Sequence, residues 1–285
     1  MPRLRLIASV AVLVLAGCGA GSGDESSRQV VASFYPLEYA AQQVGGTGVD
    51  VTNLTPPGAE PHDIELTARD VARIQEADVV LYLDSEFQPA VEDAVGGARG
   101  TAIDLLEGVQ LRRTSGEEAH ADPHVWLDPA RYAGAVRKIG RALEAEKRAE
   151  TMNARLHRLD RDFREGLSKC ERREIVTSHA AFGYLAARYG LRQVPIAGVS
   201  PEAEPTPRAL ESAVRRVRES GATTVFFETL VSPRVAETVA RETGARTAVL
   251  DPIEGLTKDQ AADGDDYFTI MRRNLAAVRS ALGCR

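Results

Sequence analysis

The chain predicts an α/β protein: two parallel-sheet domains joined by one long helix. Three observations carry that expectation. Strand-like and helix-like runs alternate along most of the sequence, the pattern of strands paired in parallel through crossover helices. Runs such as "DVVLYLD" (78–84) are apolar on both faces, as strands covered on both sides are. Midway, in "AETMNARLHRLDRDFREGLSKC", Met152, Leu156, Leu159, Phe163 and Leu167 keep one apolar helix face for roughly five turns. A length of 285 residues suits two compact domains. The division reads as 29–148, a connecting helix over 149–170, and 171–285.

The elements follow in order. "QVVASFY" (29–35) is a strand leading into the helix "PLEYAAQQVGG", with Gly45 as its stop. "VDVTNL" (49–54) is a second strand. Thr67 and Asp70 form a capping box before "VARIQEA". A helix over 87–95 and a short strand at 101–104 follow "DVVLYLD". Asp128 caps a helix with Pro129 at its first position, and Tyr132, Val136, Ile139 and Leu143 give that helix its apolar face. Beyond the connecting helix, "EIVTSH", "QVPIAGVS", "TTVFFE" and "RTAVLD" alternate with helices, and "YFTIMRRNLAAVRSAL" closes the chain.

The N-terminus, "MPRLRLIASVAVLVLAGC", reads as an export signal over residues 1–17. A basic start precedes an apolar run from Leu6 to Ala16, shorter than the about 20 residues needed to span a bilayer. "LAGC" resembles the bacterial lipobox, which implies cleavage before Cys18 and lipid on its sulfur; ordinary signal cleavage is the alternative. Residues 18–28 then read as a flexible tether of small and polar residues. Once exported, Cys170 and Cys284 are an even pair in an oxidising compartment. They are expected either as one disulfide, contributing about 4 kcal/mol by chain entropy, or as two buried thiols. A net charge of −6 with no basic stripe argues against nucleic acid as a partner.

Five histidines are present. His62 follows "VDVTNL" through a Gly/Pro loop, and His179 follows "EIVTS" directly, at the expected start of a helix. His124 lies in the connection before Asp128, and Asp251 follows "RTAVL". In open α/β sheets, ligands bind beyond the carboxyl ends of strands. Two of these residues come from each half, so a shared site would lie in the cleft between domains. Three imidazoles and a carboxylate suit a tetrahedral Zn²⁺. A helix start at His179 would disfavour its imidazolium form. Each histidine alone is an ordinary surface or core residue; the common position is the signal.

"GAEPHDIELTARD", "DPHVWLDP", "TSHAAFGYLAARYGL", "GVSPEAEPTP" and "FFE" resemble, in order from about residue 29 onward, the zinc- and manganese-type solute-binding proteins of bacterial ABC transporters. The resemblance implies two α/β domains, a rigid connecting helix and a metal in the interdomain cleft. It also implies His62, His124, His179 and Asp251 as ligands. Histidine at the third position favours Zn²⁺ over Mn²⁺ as cargo. The implied function is capture of zinc outside the cytoplasmic membrane, at the cell surface or in the periplasm, with the lipid at Cys18 as anchor. Delivery would be to an ABC permease, with a metallochaperone as a further partner. The long His-rich loop common in zinc-type members shrinks here to "SGEEAHADPH", whose Glu117, Glu118 and His120 read either as accessory capture groups or as a solvated loop.

Glu228 ends a strand and is a candidate to orient a ligand. His157 reads as a solvated face of the long helix. Trp126 and Phe182 adjoin candidate ligands, as site walls or as core. Two other functions stay open: a manganese carrier of the same fold, and a secreted zinc hydrolase with Asp251 or Glu228 as base. The absence of HExxH weighs against the hydrolase, and no enzyme is expected.

Overall fold

A computed structural model describes residues 27–113, 120–201 and 206–285. The expected export signal, Cys18, most of the tether, Glu117 and Glu118 lie outside the described residues.

The first lobe holds β1 (Arg28–Ala32), α1 (Tyr35–Gly45), β2 (Val49–Asn53), α2 (Ala68–Glu76), β3 (Val79–Tyr82), α3 (Pro89–Val95), β4 (Thr101–Asp104) and α4 (Pro129–Ala142). Its strands form a fully parallel sheet in the order β2-β1-β3-β4. The long helix α5 (Glu146–Gly166) leads to the second lobe. There β5 (Glu174–Thr177), α6 (Gly183–Arg188), β6 (Arg192–Pro195), α7 (Pro207–Ser220), β7 (Thr224–Phe227), α8 (Arg234–Thr243) and β8 (Arg246–Val249) build a second parallel sheet, ordered β6-β5-β7-β8. Helices α9 (Lys258–Ala262) and α10 (Tyr267–Leu282) complete the chain.

The capping signals act as their chemistry requires. The Thr67 hydroxyl and Asp70 carboxylate cap α2 reciprocally, and Asp128 accepts from the Ala130 N–H with Pro129 opening α4. The stop of α1 lies one residue later than expected, at Gly46 with φ 59°, while Gly45 stays helical. Gly45 is required for another reason: a Cβ there would sit 2.3 Å from Val49. The connecting helix begins and ends a few residues earlier than 149–170, because the chain turns at Leu167 and reaches Cys170, which is disulfide-bonded to Cys284. Of the two readings of that cysteine pair, the disulfide is the one observed.

The lobes share more than α5. One core cluster runs from Val30 and Phe34 in the first lobe through Leu156 and Phe163 of α5 to Leu185 and Met271 in the second. The start of α10 returns to the first lobe: Tyr267 packs on Tyr132 at 4.7 Å between ring centroids, and Phe268 meets Tyr39 edge-on at 6.2 Å. The Tyr39 hydroxyl donates to Asp266, the N-cap of α10. A continuous apolar core of this kind resists hinge motion far more than a single helical strut.

Candidate metal centre between the lobes

His179 stands just beyond β5, but in a turn rather than a helix, since α6 starts only at Gly183. The helix-dipole argument for its ring therefore does not apply. Its backbone is held instead: the carbonyl accepts from the Thr177 hydroxyl at 2.7 Å and from the Gln193 amide at 2.9 Å. Its Nδ1–H donates to Glu228 Oε1 at 2.8 Å. His124 lies before a 3-10 turn at Val125–Leu127. Its backbone N–H and its Nδ1–H both donate to Asp122 Oδ1, at 3.0 and 2.8 Å. Asp122 has room there because residue 183 is glycine; a Cβ would lie 2.9 Å from Asp122 Oδ2. His62 comes from the loop after β2, where Gly58 N–H donates to the Leu256 carbonyl of the other lobe at 2.7 Å. The His62 ring stands edge-on to Phe87 at 4.5 Å.

Carboxylates on two Nδ1 atoms fix the tautomers and turn the Nε2 atoms of His124 and His179 inward. There they meet Glu254 Oε1, at 2.9 Å from His124 and 3.3 Å from His179, with His62 Nε2 at 3.6 Å. One donor atom from each of these four residues lies within 4.8 Å of the others. A tetrahedral cation with bonds of 2.0–2.1 Å keeps its ligands roughly 3.3 Å apart, a value that the three spacings to Glu254 Oε1 bracket. His62 Nε2 and Glu254 Oε2 are buried with no hydrogen-bond partner. Buried orphans of this kind are costly unless something else engages them.

Asp251, the carboxylate expected from the sequence, is not in the group. Its oxygens accept from the Ile253 N–H at 2.8 Å, the Gln260 amide at 2.8 Å and the Thr229 hydroxyl at 3.2 Å. Asn274 holds both its backbone N–H and its carbonyl. Asp251 is thus the anchor of a loop whose tip is Glu254. Ile253 has φ 56°, a left-handed conformation costing a β-branched residue about 1–3 kcal/mol, sustained by the bond to Asp251. The "DPIEG" run held the signal: a second carboxylate behind a proline, in the same strand-end loop.

Electrostatics follow from burial and from the carboxylates. Burial holds the His62 imidazole below its ordinary range. Burial also opposes the charged form of His179, yet Glu228 and Glu254 outweigh it and raise that group to about 10. His124 is raised as well: burial is the largest influence against it, and Asp122 and Glu254 reverse it. Glu60, missed by the sequence reading, is raised to about 9 by burial and then by the nearby Glu254 charge; its Oε1 accepts from the His62 N–H at 3.3 Å. The carboxylates that orient the His124 and His179 rings therefore also favour the charged forms of these two groups, while burial disfavours that of His62.

The remaining candidates divide. Glu228 touches His179, as a ligand-orienting group would. Trp126 is both wall and core: its ring lies 5.1 Å from His124 and its indole N–H donates to the Pro252 carbonyl at 2.7 Å, linking the lobes. Phe182 is buried in the shared core, and His157 is exposed on α5. His120 lies beside Glu86 at 3.6 Å.

Two matched parallel-sheet lobes closing over three histidines and a glutamate define a solute-binding protein of the metal-binding class. The chain belongs to the family described as zinc-uptake complex component A, periplasmic, whose model matches residues 30–281. The high-affinity zinc uptake system protein ZnuA of Bacillus subtilis (strain 168) is 36% identical over 301 residues, covering 95% of this chain and 94% of that protein. The zinc-binding protein AdcA of Streptococcus pyogenes serotype M18 is 35% identical over 90% of this chain, which spans 56% of AdcA's length. Among solved structures, the Zn(II)-bound ZnuA-like domain of Streptococcus pneumoniae AdcA aligns with a TM-score of 0.77 at 34% identity, covering 90% of this chain and 99% of that one. The laminin-binding protein Lmb of Streptococcus agalactiae gives 0.82 at 30% identity, with the same coverage.

Proposed function

We propose that this protein captures Zn²⁺ outside the cytoplasmic membrane and delivers it to the permease of an ABC importer. The observation that carries this reading is the convergence of His62, His124, His179 and Glu254, from both lobes, on one buried point. Nitrogen-rich donors favour zinc over manganese, whose preferred partners are oxygen atoms. Four protein donors fill a tetrahedral shell, whereas a catalytic zinc keeps one position for water, so the site favours holding over hydrolysis. The zinc-named relatives support the same cargo.

Around that core, residues 1–17 act as the export signal, Cys18 carries the lipid, and the residues between Cys18 and β1 tether the lobes to the membrane surface. The lobes lie on either side of the connecting helix α5. A metallochaperone donor fits the same position in the pathway. Elemental analysis of the purified protein, then chelation and competitive rebinding of Zn²⁺ and Mn²⁺, tests the reading. One tightly held zinc per chain is expected. A preference for manganese overturns the cargo, and turnover of ester or peptide substrates overturns the carrier.

A further inference from the structure

A second cavity, of about 490 Å³, shares Asp122 with the metal centre and has the opposite electrostatic character. It is lined by Arg112, Arg113, Arg192 and Arg216, with Asp122 as the one acid among the described residues. The chain as a whole carries a net charge of −6, so four arginines around one cavity run against its general surface. The neighbouring carboxylates are already engaged. Asp122 Oδ1 accepts from the backbone N–H and the Nδ1–H of His124, and Glu174 is paired with Arg192. Arg112 and Arg216 are exposed and have no carboxylate partner among the described residues.

Arg112 is nevertheless a placed residue. Its backbone N–H donates to the Tyr184 hydroxyl at 2.8 Å, and its carbonyl accepts from the Asp122 N–H at 2.9 Å. Its guanidinium carbon lies 6.0 Å from the centroid of the Tyr184 ring. Residue 183 is glycine, where a Cβ would come within 3.1 Å of Arg112 Nε, so the backbone makes room for this side chain. The arginines also converge from both lobes. Arg112 and Arg113 belong to the connection between β4 and α4, Arg192 to β6 and Arg216 to α7.

We propose that this cavity binds a small oxyanion with two or more negative charges, of the phosphate or polycarboxylate type, held by Arg112 of the first lobe and Arg216 of the second. Guanidinium forks match paired oxygen atoms on phosphate and carboxylate groups. Two such forks without carboxylate partners call for one ligand that carries several oxygens. A multivalent anion also relieves the repulsion among the neighbouring guanidinium groups, which a neutral ligand leaves in place. The site lies outside the metal donor set, so it stands whichever cation that centre holds.

Isothermal titration calorimetry of the metal-free protein, with inorganic phosphate and separately with citrate, tests the site at low ionic strength, where screening is weakest. One anion per chain is expected. Arg112→Ala and Arg216→Ala should each weaken binding about tenfold or more, the loss of a charge-assisted contact. Both side chains are exposed, so the fold should persist, which circular dichroism checks. Arg158→Ala, on the exposed face of α5, makes the same change in net charge and should leave binding unaltered. Tighter binding of phosphate supports the site as one of the phosphate type, and tighter binding of citrate supports it as one of the polycarboxylate type. Equal losses in all three variants reduce the effect to net charge and overturn the site, as does the absence of binding by either anion. Zinc-loaded protein should bind phosphate as the metal-free protein does. Phosphate binding abolished by zinc would put the anion among the imidazoles of the metal centre and overturn its assignment to this cavity.

Discussion

The two lobes are built on the same sheet order, yet they present their metal donors differently. In the second lobe, His179 follows β5 almost at once, and Glu254 sits on a short loop braced by Asp251, Asn274 and Gln260. In the first lobe, His62 and His124 ride on long loops after β2 and β4, and His62 is the more accessible of the two. The second lobe is the rigid half of the site; the first supplies the donor that faces outward. A shared sheet topology fixes which edge carries a site, while loop length and bracing decide how firmly each donor is held.

The largest effects should come from the rigid half. His179→Ala and Glu254→Gln are each expected to weaken zinc binding about 100- to 1,000-fold, roughly a quarter of the 10–16 kcal/mol of a four-ligand site. Titration against a competing chelator reads the loss, and circular dichroism should show the fold intact. Asp251→Asn should cost less affinity and should also lower the metal-free Tm, because that side chain braces the loop. An Asp251→Asn loss as large as that of Glu254→Gln would reverse the assignment of the two carboxylates.

Removing the carboxylates behind the rings ranks next. Asp122→Asn and Glu228→Gln should each weaken zinc binding about 10- to 100-fold by releasing a ring's tautomer and orientation. A larger loss from Glu228→Gln than from Asp122→Asn would sharpen the contrast between the lobes.

Protons give a third test. His179 is raised above its unfolded value of 6.5. Its contribution to metal-free stability is therefore complete below pH 6.5 and is lost as pH rises toward the folded value. Zinc must displace the same proton, so affinity should climb across that window by about tenfold per pH unit for each proton released. Calorimetry in buffers of different ionisation enthalpy counts those protons. A flat profile above pH 7 would show that the carboxylates do not hold His179 charged.

The smallest effect on the site should come from the Cys170–Cys284 disulfide, which closes a loop through the second lobe. Cys170→Ser with Cys284→Ser should lower unfolding free energy by about 2–4 kcal/mol and leave zinc affinity unaltered. Urea titration and chelator competition separate the two readouts.

Much of this was legible in the chain. Parallel sheets announce themselves through apolar runs between helix signals, and His62, His124 and His179 each sit in a strand-to-helix connection, where ligands gather. The fourth donor was not legible in the same way. Asp251 occupies the expected strand end, but its oxygens are consumed by neighbours whose contacts depend on the fold, and Glu254 is presented through a left-handed Ile253 that periodicity does not signal. The long loop to His124 hid Asp122, a residue that reads as an ordinary surface acid until the ring beside it is placed.

The most direct test of the central claim is anomalous diffraction at the zinc edge from zinc-loaded crystals. The account predicts one dominant peak between the lobes, about 2.0–2.2 Å from Nε2 of His62, His124 and His179 and from a Glu254 oxygen. A peak bonded to Asp251 instead, or confined to the ligands of a single lobe, would contradict it.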